Sequence, residues 1–232
     1  MSLDQLPSPS RLATGVAREA SSLADMLLRR VEATPSRRAW RAKQDGRWQE
    51  TTWKQARDQA AAVATWLARQ GLEVGDTVLV VGSTRPQWCL CDLGGQLAGA
   101  ITVGAYPTLS VEQLGYVIEH SDARVVFAEG AKEVAAVRQI AAQCPRLERI
   151  VAWDTEGVPP GEGEGVELVA FSNVLATPVF EDELQRRRAA IEPEHVAIIV
   201  YTSGTTGPRS RVPTASTSCS RRWGSDRRSA PA

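Results

Sequence analysis

The sequence contains no run of about 18 apolar residues, so it offers no segment able to cross a bilayer as a helix. It has no charge excess either: 27 basic residues balance 27 acidic ones. Nothing global therefore points to nucleic acid or to an anionic membrane. Lysine is nearly missing, occurring only at Lys43, Lys54 and Lys132, and arginine supplies the rest of the positive charge. The cysteines, Cys89, Cys91, Cys144 and Cys219, show no zinc spacing and no matching pair of Cys or His. They read as free thiols in a reducing compartment. The opening, MSLDQLPSPSRLATG, lacks the charged-then-apolar pattern of a signal peptide. These absences predict a cytoplasmic protein with no membrane span. They leave peripheral membrane association and oligomeric state open.

What is present is ordinary for a globular protein. The 232 residues suffice for one large or two small domains, and 43% of them are hydrophobic. Residues 1–20 are polar with scattered Pro and Ser and read as a loose tail. Leu23, Met26, Leu27 and Val31 recur at helical spacing before Pro35. AWRAKQ and RWQETT flank Asp45-Gly46 as a hairpin should. Thr52 and Gln55 form a capping box, and the helix they open ends at Gly71.

An alternation of strand and helix follows. Strands are predicted at 77–82, 100–106, 123–129 and 149–153, with helices at 86–99, about 110–120 and 131–143. Gly94 and Gly95 weaken the first of these helices. The rhythm predicts an α/β fold with a parallel-rich sheet and flanking helices. The acidic, Gly- and Pro-bearing stretch 154–167 reads as a surface loop. Glu162 and Glu164 lie between flexible glycines that would not hold carboxylates in place, so no metal site is assigned there. A charged helix follows near 181–191, then the apolar strand HVAIIVYT at 195–202.

That strand runs into YTSGTTGP, residues 201–208. Gly204 and Gly207 open backbone angles closed to other residues, so successive N–H groups can point at an anion. Thr202, Ser203, Thr205 and Thr206 add hydroxyl donors. The position also fits, because α/β sheets bind ligands beyond the carboxyl ends of their strands. The segment is not GxxxxGK[ST]. A plain Ser/Thr/Gly turn is the competing reading of such residues.

The whole string IIVYTSGTTG resembles the signature of the adenylate-forming superfamily, which includes acyl-CoA synthetases, firefly luciferases and peptide-synthetase adenylation domains. The resemblance extends over residues 21–208. It takes in TTWKQARDQAAAVATWLARQGLEVGDTVLVVGSTRPQW and LAGAITVGAYPTLSVEQLGYVIEHSDARVVF, the latter most similar to long-chain and bubblegum-type fatty acyl-CoA synthetases. It implies that Thr202, Ser203, Gly204, Thr205, Thr206 and Gly207 hold the β- and γ-phosphates of ATP, with Mg as companion ion. Coenzyme A is implied as co-substrate, and a carboxylic acid, in this branch a fatty acid, as the group activated. Residues 21–208 would then be a partial AMP-binding domain.

After Pro208 the resemblance stops. Family members usually continue Pro-Lys-Gly, whereas this chain reads PRSRVPTASTSCSRRWGSDRRSAPA. Residues 209–232 show no helical or strand periodicity and have the composition of a disordered tail. Such Arg- and Ser-rich text beginning inside a signature is what a GC-rich gene yields when read out of register, so a frameshifted or alternatively spliced end is expected. A basic nucleic-acid tail is the rival reading, but Trp223 is its only aromatic residue. The family's catalytic lysine, its magnesium-binding glutamate and its acyl pocket have no counterpart in these residues. The expectation is an amino-terminal part of a fatty acid–CoA ligase that is inactive alone. The alternatives are a dead isoform, a binding fragment, or an adenylate former with another acceptor. Strand 196–201 is expected to have an open, aggregation-prone edge. His120 reads as a helix-end cap, His195 as a loop residue, and Tyr201 as core or as support beneath the loop.

Overall fold

The computed structural model describes residues 20–44, 46–159, 165–202 and 210–215, with backbone alone for Thr202 and 210–215. Helix α1 (Leu23–Ala33) is capped by Ser22, whose hydroxyl accepts from the Asp25 N–H at 3.1 Å. Strands β1 (Arg38–Gln44) and β2 (Arg47–Thr52) form an antiparallel hairpin. Its turn residue Asp45 lies outside the described residues, and Gly46 takes the positive φ of +77° that the turn requires. Helix α2 (Trp53–Arg69) opens with the expected capping box, Thr52 and Gln55 each accepting the other's backbone N–H.

The main sheet is built from β3 (Thr77–Val81), β4 (Ile101–Ala105), β5 (Ala123–Ala128), β6 (Arg149–Ala152), β7 (Glu167–Ala170), β8 (Val196–Thr202) and β9 (Ser210–Ala215). Its spatial order is β7-β6-β5-β3-β4-β8-β9. The six strands from β7 to β8 are parallel, and β9 is antiparallel to β8. The helices between strands are α3 (Pro86–Ala98), α4 (Val111–His120), α5 (Ala131–Ile140), α6 (Phe171–Leu175) and α7 (Glu181–Ala190). This is the α/β architecture the alternation predicts.

Successive strand residues point to opposite faces, so the short apolar strands feed two cores. Val78, Val80, Phe127 and Val151 face α1, α2, α3, α6 and α7, with Val63, Leu67 and Leu97 in the same cluster. Leu79, Val81, Val103, Val126 and Ile150 face α4 and α5, meeting Leu114, Val117, Val134 and Val137. Burial on both sides is why TVLVV reads as an unbroken apolar run rather than an alternating one. Gly94 and Gly95 do not break α3; they let it lie close to α2 and the sheet. A Cβ at Gly94 would sit 2.5 Å from Val63, and one at Gly95 would sit 3.1 Å from the Thr102 hydroxyl.

Three elements differ from the sequence reading. Strand β7 and helix α6, four and five residues long, are too short to show a period and follow directly on the acidic stretch. Strand β9 falls where residues 209–232 read as an irregular tail. Its backbone pairs with β8 from Val196↔Ala215 to Thr202↔Ser210, because a short connection brings it back against β8's free edge. The expectation of an open edge at 196–201 is corrected accordingly: β8 is paired with both β4 and β9. The sheet then ends on β9, where Pro213 brings no N–H. Residues 1–19, 160–164, 203–209 and 216–232 lie outside the described residues, and with them fall Glu162, Glu164, Cys219 and Trp223.

Asp25 joins α1 to α7. It is 2% exposed and accepts from the Ser21 N–H at 3.0 Å and from Arg29 Nε at 2.8 Å, and it pairs with Arg188. Burial alone would raise its pKa, but the hydrogen bonds from Arg29, Ser21 and Arg188 together hold the carboxyl below its usual value. A depressed native pKa stabilises the fold above the unfolded value of about 4, and that contribution is lost as pH falls through the lower native value. Asp25→Asn should lower the urea midpoint at neutral pH by an amount worth about 1–2 kcal/mol. It should also flatten the acid limb of a plot of midpoint against pH. An unchanged acid limb would contradict the assignment.

Candidate functional site

The apolar strand β8 delivers the Ser/Thr/Gly segment to one place. It lies parallel to β4, with Thr102 opposite Ile198 and Val103 opposite Ile199. Ile199 and Tyr201 are buried. The strand ends at Thr202, which is paired with Ser210 of β9. Opposed antiparallel residues stand about 5 Å apart, so the segment between them begins and ends at one point. That point is the carboxyl end of a parallel strand, the side on which α/β sheets bind ligands. Of the site residues expected from the sequence, Thr202 closes β8, while Ser203, Gly204, Thr205, Thr206 and Gly207 lie outside the described residues.

The base of the segment is tied down from two sides. Tyr201 Oη is 2.9 Å from His120 Nδ1, and the Tyr116 ring stacks on His120 at 5.2 Å. His120, the last residue of α4, thus links that helix to β8. The buried Gln96 amide of α3 donates to the Ala197 carbonyl at 3.0 Å and to the Thr102 hydroxyl at 3.2 Å, joining β8 to β4. These bonds fix β8 against α4, α3 and β4. Tyr201→Phe should cost about 1 kcal/mol in urea unfolding by removing one hydrogen bond. A loss indistinguishable from zero would show that the His120 contact contributes nothing.

A second polar group stands at the carboxyl ends of β3, β5 and β6, where the strand order changes direction. Glu129 accepts from the Ser83 N–H at 2.6 Å and from its hydroxyl at 2.7 Å. Arg85 donates to Glu129 at 3.1 Å and to Asp154 at 2.6 Å. Burial pushes the Glu129 pKa up, but the hydrogen bonds from Ser83 and Arg85 prevail and hold it below the usual carboxylate range. It is therefore an ionised acceptor and not a proton donor at neutral pH. The sequence reading did not single out these residues. The available signal was positional: each follows the end of a predicted strand. The thiols Cys89, Cys91 and Cys144 are free, and burial raises the pKa of each. Among the described residues no three His, Cys, Asp or Glu side chains group as a metal site, and no helix is long and apolar enough to cross a membrane.

Comparison with known proteins places these features in a family. The sequence profile of the AMP-binding enzymes matches residues 27–215. The long-chain-fatty-acid–CoA ligase FadD15 of Mycobacterium tuberculosis is 32% identical over 163 residues, which are 70% of this chain and 26% of that protein. The human long-chain-fatty-acid–CoA ligase ACSBG1 is 27% identical over 165 residues, or 71% of this chain and 22% of that protein. Among solved structures, the A-PCP didomain of a carboxylic acid reductase from Segniliparus rugosus in complex with AMP superposes with a TM-score of 0.73. It has 16% identity and covers 93% of this chain and 35% of that one. At that identity the likeness is one of fold. The chain spans about a quarter of the length of the curated relatives it matches.

Proposed function

The chain belongs to the AMP-binding enzyme family, and on that footing we propose that it is the amino-terminal part of an ATP-dependent, AMP-forming fatty acid–CoA ligase. In that reading residues 21–208, together with strand β9 at Ser210–Ala215, are a partial adenylate-forming domain. Thr202, Ser203, Gly204, Thr205, Thr206 and Gly207 hold the β- and γ-phosphates of ATP. The observation that supports this most is the placement of the YTSGTTG segment. It leaves the carboxyl end of the parallel strand β8, and Thr202 and Ser210 bracket it at one point.

The reaction proposed for the whole enzyme has two steps. A carboxylate oxygen of the fatty acid attacks the α-phosphorus of ATP; the bond from the α-phosphorus to the α,β-bridging oxygen breaks, and pyrophosphate leaves with that oxygen and the electron pair. The thiolate of coenzyme A then attacks the acyl carbon of the adenylate, giving the thioester and releasing AMP. This chain's share is to grip the leaving pyrophosphoryl end. Backbone N–H groups presented by a glycine-rich turn, with hydroxyls beside them, take up charge as it develops there. Mg²⁺ is taken to arrive with the nucleotide as part of the substrate.

The 232 residues by themselves are proposed not to complete either step. Arg209 and Ser210 stand where related chains usually carry the Lys-Gly of the signature. The length matched is about a quarter of the ligases compared. The test is fatty-acid-dependent exchange of labelled pyrophosphate into ATP, alongside calorimetric ATP binding, on the 232-residue chain. No exchange above blank together with saturable ATP binding is the expected result. Exchange that requires fatty acid would overturn the inactivity. A cooperatively folded chain that binds no ATP would overturn the assignment of the segment.

A further inference from the structure

Asp92 of α3 is a carboxylate that the proposed reaction does not use. It is half-buried, and among the described residues no Lys, Arg or His side chain pairs with it. Burial pushes its pKa up, although it accepts from the Thr102 hydroxyl of β4 and from the Gln96 side-chain amide, the latter at 3.4 Å. A raised native pKa gives stability that is present below the unfolded value and lost as pH rises through the native one. At neutral pH the charge therefore costs the fold stability.

The groups bonded to Asp92 also hold β8. Gln96 Nε2 stands 3.0 Å from the Ala197 carbonyl oxygen and 3.2 Å from Thr102 Oγ1. Gln96, Thr102 and Ala197 are buried, so water does not replace a bond lost there. The ladder between β4 and β8 is the shortest in the main sheet, with two residue pairs against four to six elsewhere. The Gln96 bond is thus a large part of what attaches β8 to the parallel strands.

The chemistry gives these bonds a direction. An ionised carboxylate and a backbone carbonyl only accept, whereas a primary amide presents N–H groups on one side and an oxygen on the other. Asp92 and the Ala197 carbonyl both require the nitrogen of Gln96. An asparagine in place of Asp92 donates as well as accepts, so Gln96 could then turn its oxygen inward and leave the Ala197 carbonyl without a donor.

We propose that Asp92 is a positioning residue for β8: its carboxylate fixes the direction of the Gln96 amide, and that amide holds the strand that ends at the proposed phosphate segment. The link to phosphate rests on the reading of residues 202–207 given above; the hold on β8 does not.

The test measures amide hydrogen exchange, the urea midpoint and pyrophosphate affinity in the 232-residue chain. Asp92→Asn should speed exchange at Ile198, Ile199 and Val200 about fivefold, the equivalent of one hydrogen bond. Exchange in β3 and β5 should stay as in the parent, and the urea midpoint should not fall. Gln96→Leu should speed the same β8 amides. Adding Asp92→Asn to it should have no further effect, because Asp92 acts through Gln96. Pyrophosphate binding should weaken about two- to fivefold in Asp92→Asn as the held fraction of β8 falls. Unchanged exchange in Asp92→Asn, exchange that rises equally across the sheet, or additive effects in the double variant would overturn the proposal. The β8-specific pattern in a chain that binds no pyrophosphate would uphold the hold on β8 and overturn the phosphate reading instead.

Discussion

Gly94→Ala should destabilise the chain by about 2 kcal/mol or more, even though alanine is the better helix former by about 1 kcal/mol. The added Cβ would meet Val63 Cβ and Cγ1 at 2.5 Å and the Ala60 carbonyl oxygen at 3.0 Å. Neither neighbour can yield cheaply. Val63 is fully buried and β-branched, with one preferred rotamer in a helix. The Ala60 oxygen is part of α2's backbone. Relief requires α2 and α3 to separate, and the Val63, Leu67 and Leu97 cluster between helices and sheet would loosen with them. Total stability of a domain is only about 5–15 kcal/mol, so the loss is a large share of it. Gly95→Ala is the comparison: its Cβ meets the side-chain atoms Thr102 Oγ1 and Val78 Cγ2 at 3.1 and 3.3 Å, so it should cost less. Urea unfolding of both variants measures this. Equal midpoints for Gly94→Ala and the parent chain would show that the helices are not packed as described.

Gly204→Val should reduce ATP binding at least tenfold, as an order-of-magnitude expectation, while leaving the unfolding midpoint unchanged within about 0.5 kcal/mol. A valine is closed to the backbone angles that glycine allows, and its branched side chain would stand where N–H groups are proposed to approach the phosphates. The described core residues all precede this segment in the chain, and the substitution removes none of them, so stability and binding should separate. Calorimetry of ATP binding with parallel urea melts reads both. Equal loss of binding and of stability would mean that the segment is structural and that a plain turn was the better reading.

The architecture was legible because the signals that specify it are local. TVLVV, ITVGA and ARVVFA are short apolar runs, and Thr52/Gln55 and Ser110/Gln113 form the capping boxes read from their spacing. What could not be read depends on contacts across the fold. Gly94 looks like a helix weakener until Val63 is seen beside it. His120 looks like a terminal cap until Tyr201, 81 positions away, is found bonded to it. Ser83, Arg85, Glu129 and Asp154 lie in three different loops, and only the order of β3, β5 and β6 brings them together. Strand β9 was missed because SRVPTA contains a proline and three polar residues and acquires its partner only through β8. The proposed phosphate role rests on the residue types in YTSGTTG, and the structure adds where the strand leading into that segment ends.

Amide chemical shifts of the labelled 232-residue chain, recorded while inorganic pyrophosphate is added, test the proposed phosphate segment most directly. The account predicts saturable movement of the amides from Thr202 to Gly207, little movement of those in β3, β5 and β6, and loss of the effect in Gly204→Val. Saturable shifts elsewhere with none between Thr202 and Gly207 would contradict it.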